Sequence, residues 1–327
     1  MKLSNLKFVL NIKTLFFILA LVPVIALILI TVNLAVGSVH AINTLGLRLF
    51  SNTFTLGVEQ INANPASLHY GLLPALWGTF LVVLISVCIA FPVSLAIAIL
   101  ANDFSRGHLG TIIRWFIGVL SGIPPIIYAL MGAVFFGWFF FPKFAGQGLS
   151  ASTNPPLPLP GMLPTDASCT LLGGLMLSLL LIPFLTPLLD DALHSVPGDL
   201  KEASLSLGAN RWHTVKTITI PFALPGIISA LLLGILTSLG ESIIVAYCIG
   251  FTSSALPKPI FDILQRAAPL TSTIAMLAGG GFSLSTTVGP VGKSVASFAG
   301  LLLLIIAFVI LGVTFYLQLK MKRRLVQ

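Results

Sequence analysis

Residues 199–221 read DLKEASLSLGANRWHTVKTITIP, and five of them, Asp199, Lys201, Glu202, Arg211 and Lys216, are charged. Only 8% of the 327-residue chain is charged, and the sequence on either side is almost uncharged and strongly apolar. Local chemistry predicts two short helices here. Pro197-Gly198 ends the preceding element, and Asp199 stands where an N-cap belongs, with Glu202 three residues on, the spacing of a capping box. Leu200, Ala203 and Leu207 share one helical face. Gly208 suits a C-terminal stop. Asn210 suits the cap of a second helix, with Trp212 and Val215 on one side and Arg211 and Lys216 towards solvent. Pro221 and Pro225 follow as the chain turns apolar again. The segment reads as a wet helix–turn–helix with an open apolar face. Such a face either lies on lipid or docks into the groove of a partner, and its own chemistry leaves both open.

The surroundings decide the class. The chain is 57% hydrophobic with a mean hydropathy of +1.06, whereas a soluble domain carries about 25% charged residues. Apolar runs of roughly 18 residues or more read as membrane spans. They are continuous rather than alternating, which disfavours a β-barrel. Six spans are expected, near 14–36, 72–101, 111–141, 168–189, 218–250 and 296–319. The third is broken by SGIPPIIYALMG at 121–132. The first run exceeds the roughly 7–15 residues of a signal-peptide core and is expected to stay uncleaved.

With the N-terminus inside, the inside segments hold Lys2, Lys7, Lys13, Arg106, Arg114, Lys201, Arg211, Lys216, Lys320, Lys322, Arg323 and Arg324. The outside segments hold Arg48, Lys143, Lys258, Arg266 and Lys293. This bias predicts cytoplasmic termini and a cytoplasmic 199–221 segment, and it accounts for the net charge of +8 without nucleic acid. Outside connections are expected at 37–70, with Tyr70 and His69 as boundary anchors, at 142–167 with the Pro-rich STNPPLPLPGMLP, and at 251–295. The last ends in TTVGPVGKS, but Thr287 stands where a phosphate-cradling loop needs its first glycine. Cys88, Cys169 and Cys248 form no metal-ligand spacing and read as small core hydrophobes. Asp190-Asp191 with His194 reads as a solvated helix end at the start of a loop.

Two further features carry chemistry. Glu241 is the single acidic residue deep in an expected span, where a carboxylate is costly and by default functional. It either belongs to a translocation pathway or satisfies itself on backbone and the hydroxyls of Thr237, Ser238 and Ser242. Gly122, Pro124 and Pro125 break the third span. A broken helix can line a cavity and aim free amides at an anion, or it can be a packed proline kink.

The spacing E-A-S-x3-G-x9-I-x-I-P over Glu202, Ala203, Ser204, Gly208, Ile218, Ile220 and Pro221 resembles the EAA motif of ABC-importer permeases. It departs from that motif mildly at Ser204 and Ile220. YGLLPALWGTFLVVLISVCIAFPVSLAIAI (70–99), GIPPIIYALMG (122–132) and SLGESIIVA (238–246) are similar to the phosphate-importer permeases of the PstC type.

The resemblance implies an all-α polytopic membrane protein of about six transmembrane helices, with the type I ABC importer permease fold and cytoplasmic coupling helices. It divides into residues 1–69 (tail, first span and outer loop), a permease domain over 70–320 with coupling segment 199–217, and a basic tail over 321–327. It implies ATP-driven import of inorganic phosphate across a prokaryotic cell membrane by alternating access. Glu202, Ala203, Ser204, Gly208, Arg211, Trp212, Ile218 and Pro221 would couple to the ATPase. Gly122, Pro124, Pro125, Thr237, Ser238 and Glu241 would line or gate the path.

The partners implied are a PstA-like second permease subunit, two PstB-like ATPase subunits that hold ATP and Mg, and a PstS-like phosphate-binding protein. The chain itself would carry no catalytic residue and bind no cofactor. Family members carry an arginine where this chain has Thr237, which leaves sulfate, molybdate or tungstate as alternative cargo. A self-contained anion carrier would instead need no ATPase and no docking motif, and inverted repeats, a feature of many such carriers, are not seen. A membrane enzyme would need clustered Asp, Glu, His or Cys at the membrane face.

Overall fold

Leu177, Leu181, Leu185, Leu189 and Leu193 recur every four residues and none of them is exposed to solvent. They form one ridge of a helix over Thr170–His194, the most buried of the five candidate membrane spans. The computed structural model describes residues 3–53, 70–105, 108–140, 169–250, 255–278 and 290–325. Eleven helices are named here in chain order: α1 Leu3–Leu45, α2 Leu73–Ile99, α3 Leu109–Ser121, α4 Pro125–Leu130, α5 Thr170–His194, α6 Gly198–Ser206, α7 Arg211–Thr214, α8 Ile220–Gly240, α9 Ile243–Cys248, α10 Leu270–Leu277 and α11 Pro290–Leu325. Wider π-helical turns extend α2 over Leu100–Phe104, extend α4 over Met131–Phe140, and join α7 to α8 over Val215–Thr219. Five stretches are long and apolar enough to cross a membrane. They become six when α3 and α4, bent by 82°, count as one broken span.

α2 lies along α5 and meets its leucine ridge with Ser86, Ala90, Ser94 and Ala98, an i, i+4 stripe of small, fully buried residues. In lipid, burying leucine gains no transfer energy, so close approach of small residues and interhelical hydrogen bonds hold helices together, at about 0.6 kcal/mol per bond. Ser94 Oγ supplies one such bond to the Ile182 carbonyl at 3.2 Å. α8 also packs on α5, where Gly226 faces Ala192 and Gly234 faces Leu185 of the same ridge. α1 packs on α11 through Gly37 against Ser297 and Leu34 against Gly300. Leu15 to Ile30 of α1 stay exposed.

Several expected boundaries shift. α1 runs to Leu45 and a 3-10 turn continues to Phe50, so the first part of the expected outer connection is helical. Asp190, Asp191 and His194 end a helix as expected, since α5 closes at His194, but Asp190 is buried there rather than solvated. α11 starts at Pro290 and runs to Leu325, so the basic residues 322–324 continue a helix rather than forming a separate tail. The Pro-rich stretch 152–164, His69, Lys143, Arg106, residues 54–69 and the glycines at 279–281 lie outside the described residues. Residues 286–289 do so as well, while Pro290 to Ser294 open α11.

The expected outer connection 251–295 contains the largest departure. Residues 267–269 are buried against α2 as non-helical backbone that leads into Leu270, the first residue of α10. A Cβ on Gly78 would fall on the Ala267 carbonyl. Two backbone amides here are satisfied by threonine hydroxyls: Ala267 N–H by Thr170 Oγ1 and Leu270 N–H by Thr79 Oγ1, both at 2.9 Å. Thr170 N–H and Leu171 N–H in turn donate to the Gln265 and Ile263 carbonyls, which satisfies two orphan amides at the start of α5. Non-helical backbone among packed helices persists only when it is satisfied in this way.

Candidate functional site

The 199–217 segment leaves the bundle at one face, beyond α5. α6 is capped by Pro197, whose ring holds φ at −57°. Helical geometry therefore starts at Gly198, and Asp199 falls within the first turn. The expected capping box does not form, because no side chain caps this helix. Asp199 sits where its charge still favours the helix N-terminus. Gly208 adopts φ +87°, a left-handed turn conformation that glycine takes without strain, and Ala209 N–H closes the turn on the Ser204 carbonyl at 3.2 Å. Asn210 caps α7 as expected, its Oδ1 accepting from His213 N–H at 2.7 Å. Asn210→Ala is expected to loosen this turn by about 1 kcal/mol. The check is limited proteolysis, with cleavage between residues 207 and 213 rising about fivefold.

The second half of the segment is not a separate surface helix. α7, the π-helical turn and α8 run on as one rod from Arg211 to Gly240. The π register falls just before Pro221, which lacks the amide that an α-helical turn would use. Ser204 and Thr214 are both buried and their hydroxyls meet at 2.9 Å, so the serine departure from E-A-A has a local hydrogen-bond partner.

Leu200, Leu205, Leu207 and Trp212 are exposed, Leu207 by 90%. Glu202 and Ala203 are exposed beside them, while Ile218 is half-buried and Pro221 exposed. A hollow of about 740 Å³ lies between α6 and the Arg211 rod, lined by Leu200, Ala203, Ser204, Leu207, Gly208 and His213 among others.

Two cationic residues of the segment point back to the bundle. Lys201 Nζ lies 2.7 Å from Asp103 Oδ1 in the π-helical end of α2, and Arg211 Nη1 donates to the Asp103 carbonyl at 3.4 Å. The Phe104 and Trp212 rings are 6.4 Å apart.

A second ionic cluster lies on the same face. Arg114 Nε and Nη2 donate to Asp190 Oδ2 and Oδ1 at 2.7 and 3.2 Å, and His194 Nδ1 is 3.0 Å from the Asp190 carbonyl. Asp103 and the Arg114–Asp190 pair were missed by sequence reading. The available signal was complementary charge at the ends of different spans.

The two span breaks come together indirectly. Gly122 and Pro124 are exposed and Pro125 half-buried at the α3–α4 bend, which Tyr128 Oη bridges by donating to the Leu120 carbonyl at 3.2 Å. α8 ends at Gly240, and Glu241 turns extended (φ −73°, ψ 120°) before α9 begins. α4 and α9, the helices that follow the two breaks, pack on each other. Thr237 Oγ1 donates to Leu233 and Ser238 Oγ to Gly234, both carbonyls of their own helix, at 2.9 Å. Neither hydroxyl donates to Glu241. The Glu241 carbonyl accepts from Thr271 Oγ1 at 2.9 Å, which ties the break to α10.

Among the described residues no group of three or more His, Cys, Asp or Glu could hold a metal. Cys169 and Cys248 are buried as expected. Cys88 is exposed, which corrects its reading as a core residue.

A bundle of apolar spans that sends one charged, capped segment out of a face has counterparts among known proteins. Residues 94–323 match the model of the binding-protein-dependent transport system inner membrane component family. The chain belongs to that family. The family match begins inside α2 and takes in every element after it.

Relatives span the chain more fully. The probable ABC transporter permease protein YqgH of Bacillus subtilis is 29% identical over 93% of this chain and 88% of its own length. The phosphate transport system permease protein PstC of Xylella fastidiosa strain Temecula1 is 30% identical over 94% and 91%, respectively. The PstC 1 protein of Mycobacterium tuberculosis is 28% identical over 82% of each. A chain of the MetNI methionine ABC transporter, solved in inward-facing conformations, superposes with a TM-score of 0.53 at 19% identity, covering 76% of this chain and 94% of that one. A chain of a bacterial ABC transporter involved in alginate import does so with a TM-score of 0.53 at 17% identity, covering 96% and 99%. This inner membrane component therefore has the all-α type I ABC importer permease fold and crosses the membrane several times.

Proposed function

We propose that this chain is a transmembrane permease subunit of an ATP-driven importer of inorganic phosphate, working by alternating access while a separate subunit hydrolyses ATP. The reading rests above all on the 199–217 segment. Lys201 and Arg211 tie it to the bundle, while Leu200, Glu202, Leu205, Leu207 and Trp212 are left exposed. That is the helix-in-groove pattern of a docking element.

In this reading Glu202, Ala203, Ser204, Gly208, Arg211, Trp212, Ile218 and Pro221 form or support the surface gripped by a PstB-like ATPase, which holds ATP and Mg. The segment and both termini face the cytoplasm. A PstA-like permease subunit and a second ATPase complete the membrane assembly, and a PstS-like binding protein delivers the anion from the other side. Gly122, Pro124, Pro125, Thr237, Ser238 and Glu241 border the path, where the breaks release backbone groups that a continuous helix would spend on itself. Because the Thr237 and Ser238 hydroxyl protons are engaged with their own helix, an anion there would be met by backbone amides or by the partner permease. Phosphate as cargo rests on the PstC relatives.

The test is purification of the tagged chain from membranes, with phosphate uptake measured in the same cells. The ATPase and a phosphate-binding protein are expected to copurify. Glu202→Lys is expected to release the ATPase and abolish uptake while the second permease subunit stays bound. Phosphate uptake that persists without the ATPase, or that survives Glu202→Lys unchanged, overturns the proposal.

A further inference from the structure

Two rods leave the 199–217 segment and meet again at the far side of the molecule. One is covalent, since α7 continues as α8 to Gly240 and ends at Glu241. The other is α2, whose near end is joined to the segment through Asp103 and Phe104. Its far end carries Gly78 and Thr79 against residues 267–270, and Thr271, the next residue, donates to the Glu241 carbonyl. A shift of α2 relative to α8 is therefore felt at Glu241.

We infer that Asp103 is the residue that keeps these rods in step. It is a positioning residue that makes α2 follow the 199–217 segment, and the inference rests on the docking role proposed above. Its surroundings suit the task. Ser105 Oγ and N–H both bond the Leu100 carbonyl, at 2.7 and 2.9 Å, and so lock the π-helical turn that presents Asp103. The side chain is 9% exposed. Its Oδ1 takes Lys201, its Oδ2 takes Asn102 at 3.4 Å, and its carbonyl takes Arg211. The carboxylate thus reaches α6 and the carbonyl reaches α7, holding both halves of the segment to one residue of α2. Without Lys201–Asp103, α6 is left to pivot about the 207–210 turn while α8 moves alone. π-helical turns recur at functional sites of this kind.

The test uses the assembled complex in proteoliposomes and reads phosphate imported per ATP hydrolysed. Asp103→Asn keeps the shape and the backbone contact to Arg211 but removes the charge. It is expected to retain the ATPase and its hydrolysis rate while import per ATP falls about tenfold. Asp103→Glu is expected to restore import per ATP to within about threefold of wild type, since it keeps the charge within reach of Lys201. Wild-type stoichiometry in Asp103→Asn overturns the inference. So does an equal loss in the two variants, or loss of the assembled complex in Asp103→Asn, either of which marks Asp103 as structural only. Failure of the wild-type chain to bring down an ATPase would instead sink the docking role itself, so the two failures are distinguishable.

Discussion

Replacing Gly78 by valine is expected to abolish recovery of folded protein. The first carbon of any side chain at this position would lie on the Ala267 carbonyl and 2.7 Å from the Ala268 oxygen. Both are backbone atoms of a stretch pinned at each end, by Thr170 and by Thr79, so it cannot step aside without giving up those bonds. Overpacking costs about 1–3 kcal/mol, and each stranded buried amide adds about 1–3 kcal/mol, a sum comparable to the whole stability of many domains. Size-exclusion chromatography of detergent-solubilised protein is the measurement, with the monodisperse peak falling to background. Gly118→Val is the control, because a side chain there meets nothing within 4 Å, and its peak is expected to match wild type. A normal peak for Gly78→Val would mean that residues 267–270 do not sit on α2.

Asp190→Ala is expected to free α3. That helix buries only Gly110 and Ile117 and exposes Leu109, Ile112, Trp115, Phe116 and Val119, so its two-pronged ion pair with Asp190 is a large part of what holds it to α5. The Asp190 side chain is 11% exposed and that of Arg114 is 40% exposed. The expected loss therefore lies between the values for exposed and fully buried pairs, at about 2–3 kcal/mol. Hydrogen exchange of residues 109–121 reads it directly, with rates rising about 30- to 150-fold over wild type. Arg114→Lys is expected to show a smaller rise, since an ammonium cannot reproduce the fork. Unchanged exchange in Asp190→Ala would assign the docking of α3 to its apolar contacts.

These two sites were invisible in the sequence, and the reasons are physical. Continuous apolar runs reported the spans, and a charge cluster between two such runs reported the 199–217 segment, because those signals are local. The buried stretch at 267–270 has no period and borrows its hydrogen bonds from Thr79 and Thr170, both distant along the chain, so its sequence looks like an ordinary connection. Asp190 looked like a solvated end because its partner Arg114 belongs to another helix. The expected cap at Asp199 failed for a nearby reason, since Pro197 already fixes the entry geometry two residues earlier. Asn210 and Gly208 were read correctly because capping and left-handed turns depend on the residue itself. Among the proposed path residues, the sequence marked where helices break. It did not mark that α4 and α9 would pack together, which is a matter of tertiary contact.

The contact between α1 and α11 has a consequence for how the molecule is made. Gly37 and Leu34 emerge from the ribosome early, whereas Ser297 and Gly300, the residues they fit, belong to the last of the described helices. During synthesis α1 therefore waits in lipid without the helix it packs on. Nascent chains stalled before α11 should display the small-residue surface around Gly37 to the bilayer, where membrane chaperones and proteases can inspect it. Closure of α11 over α1 can then occur only after every other described helix has been made.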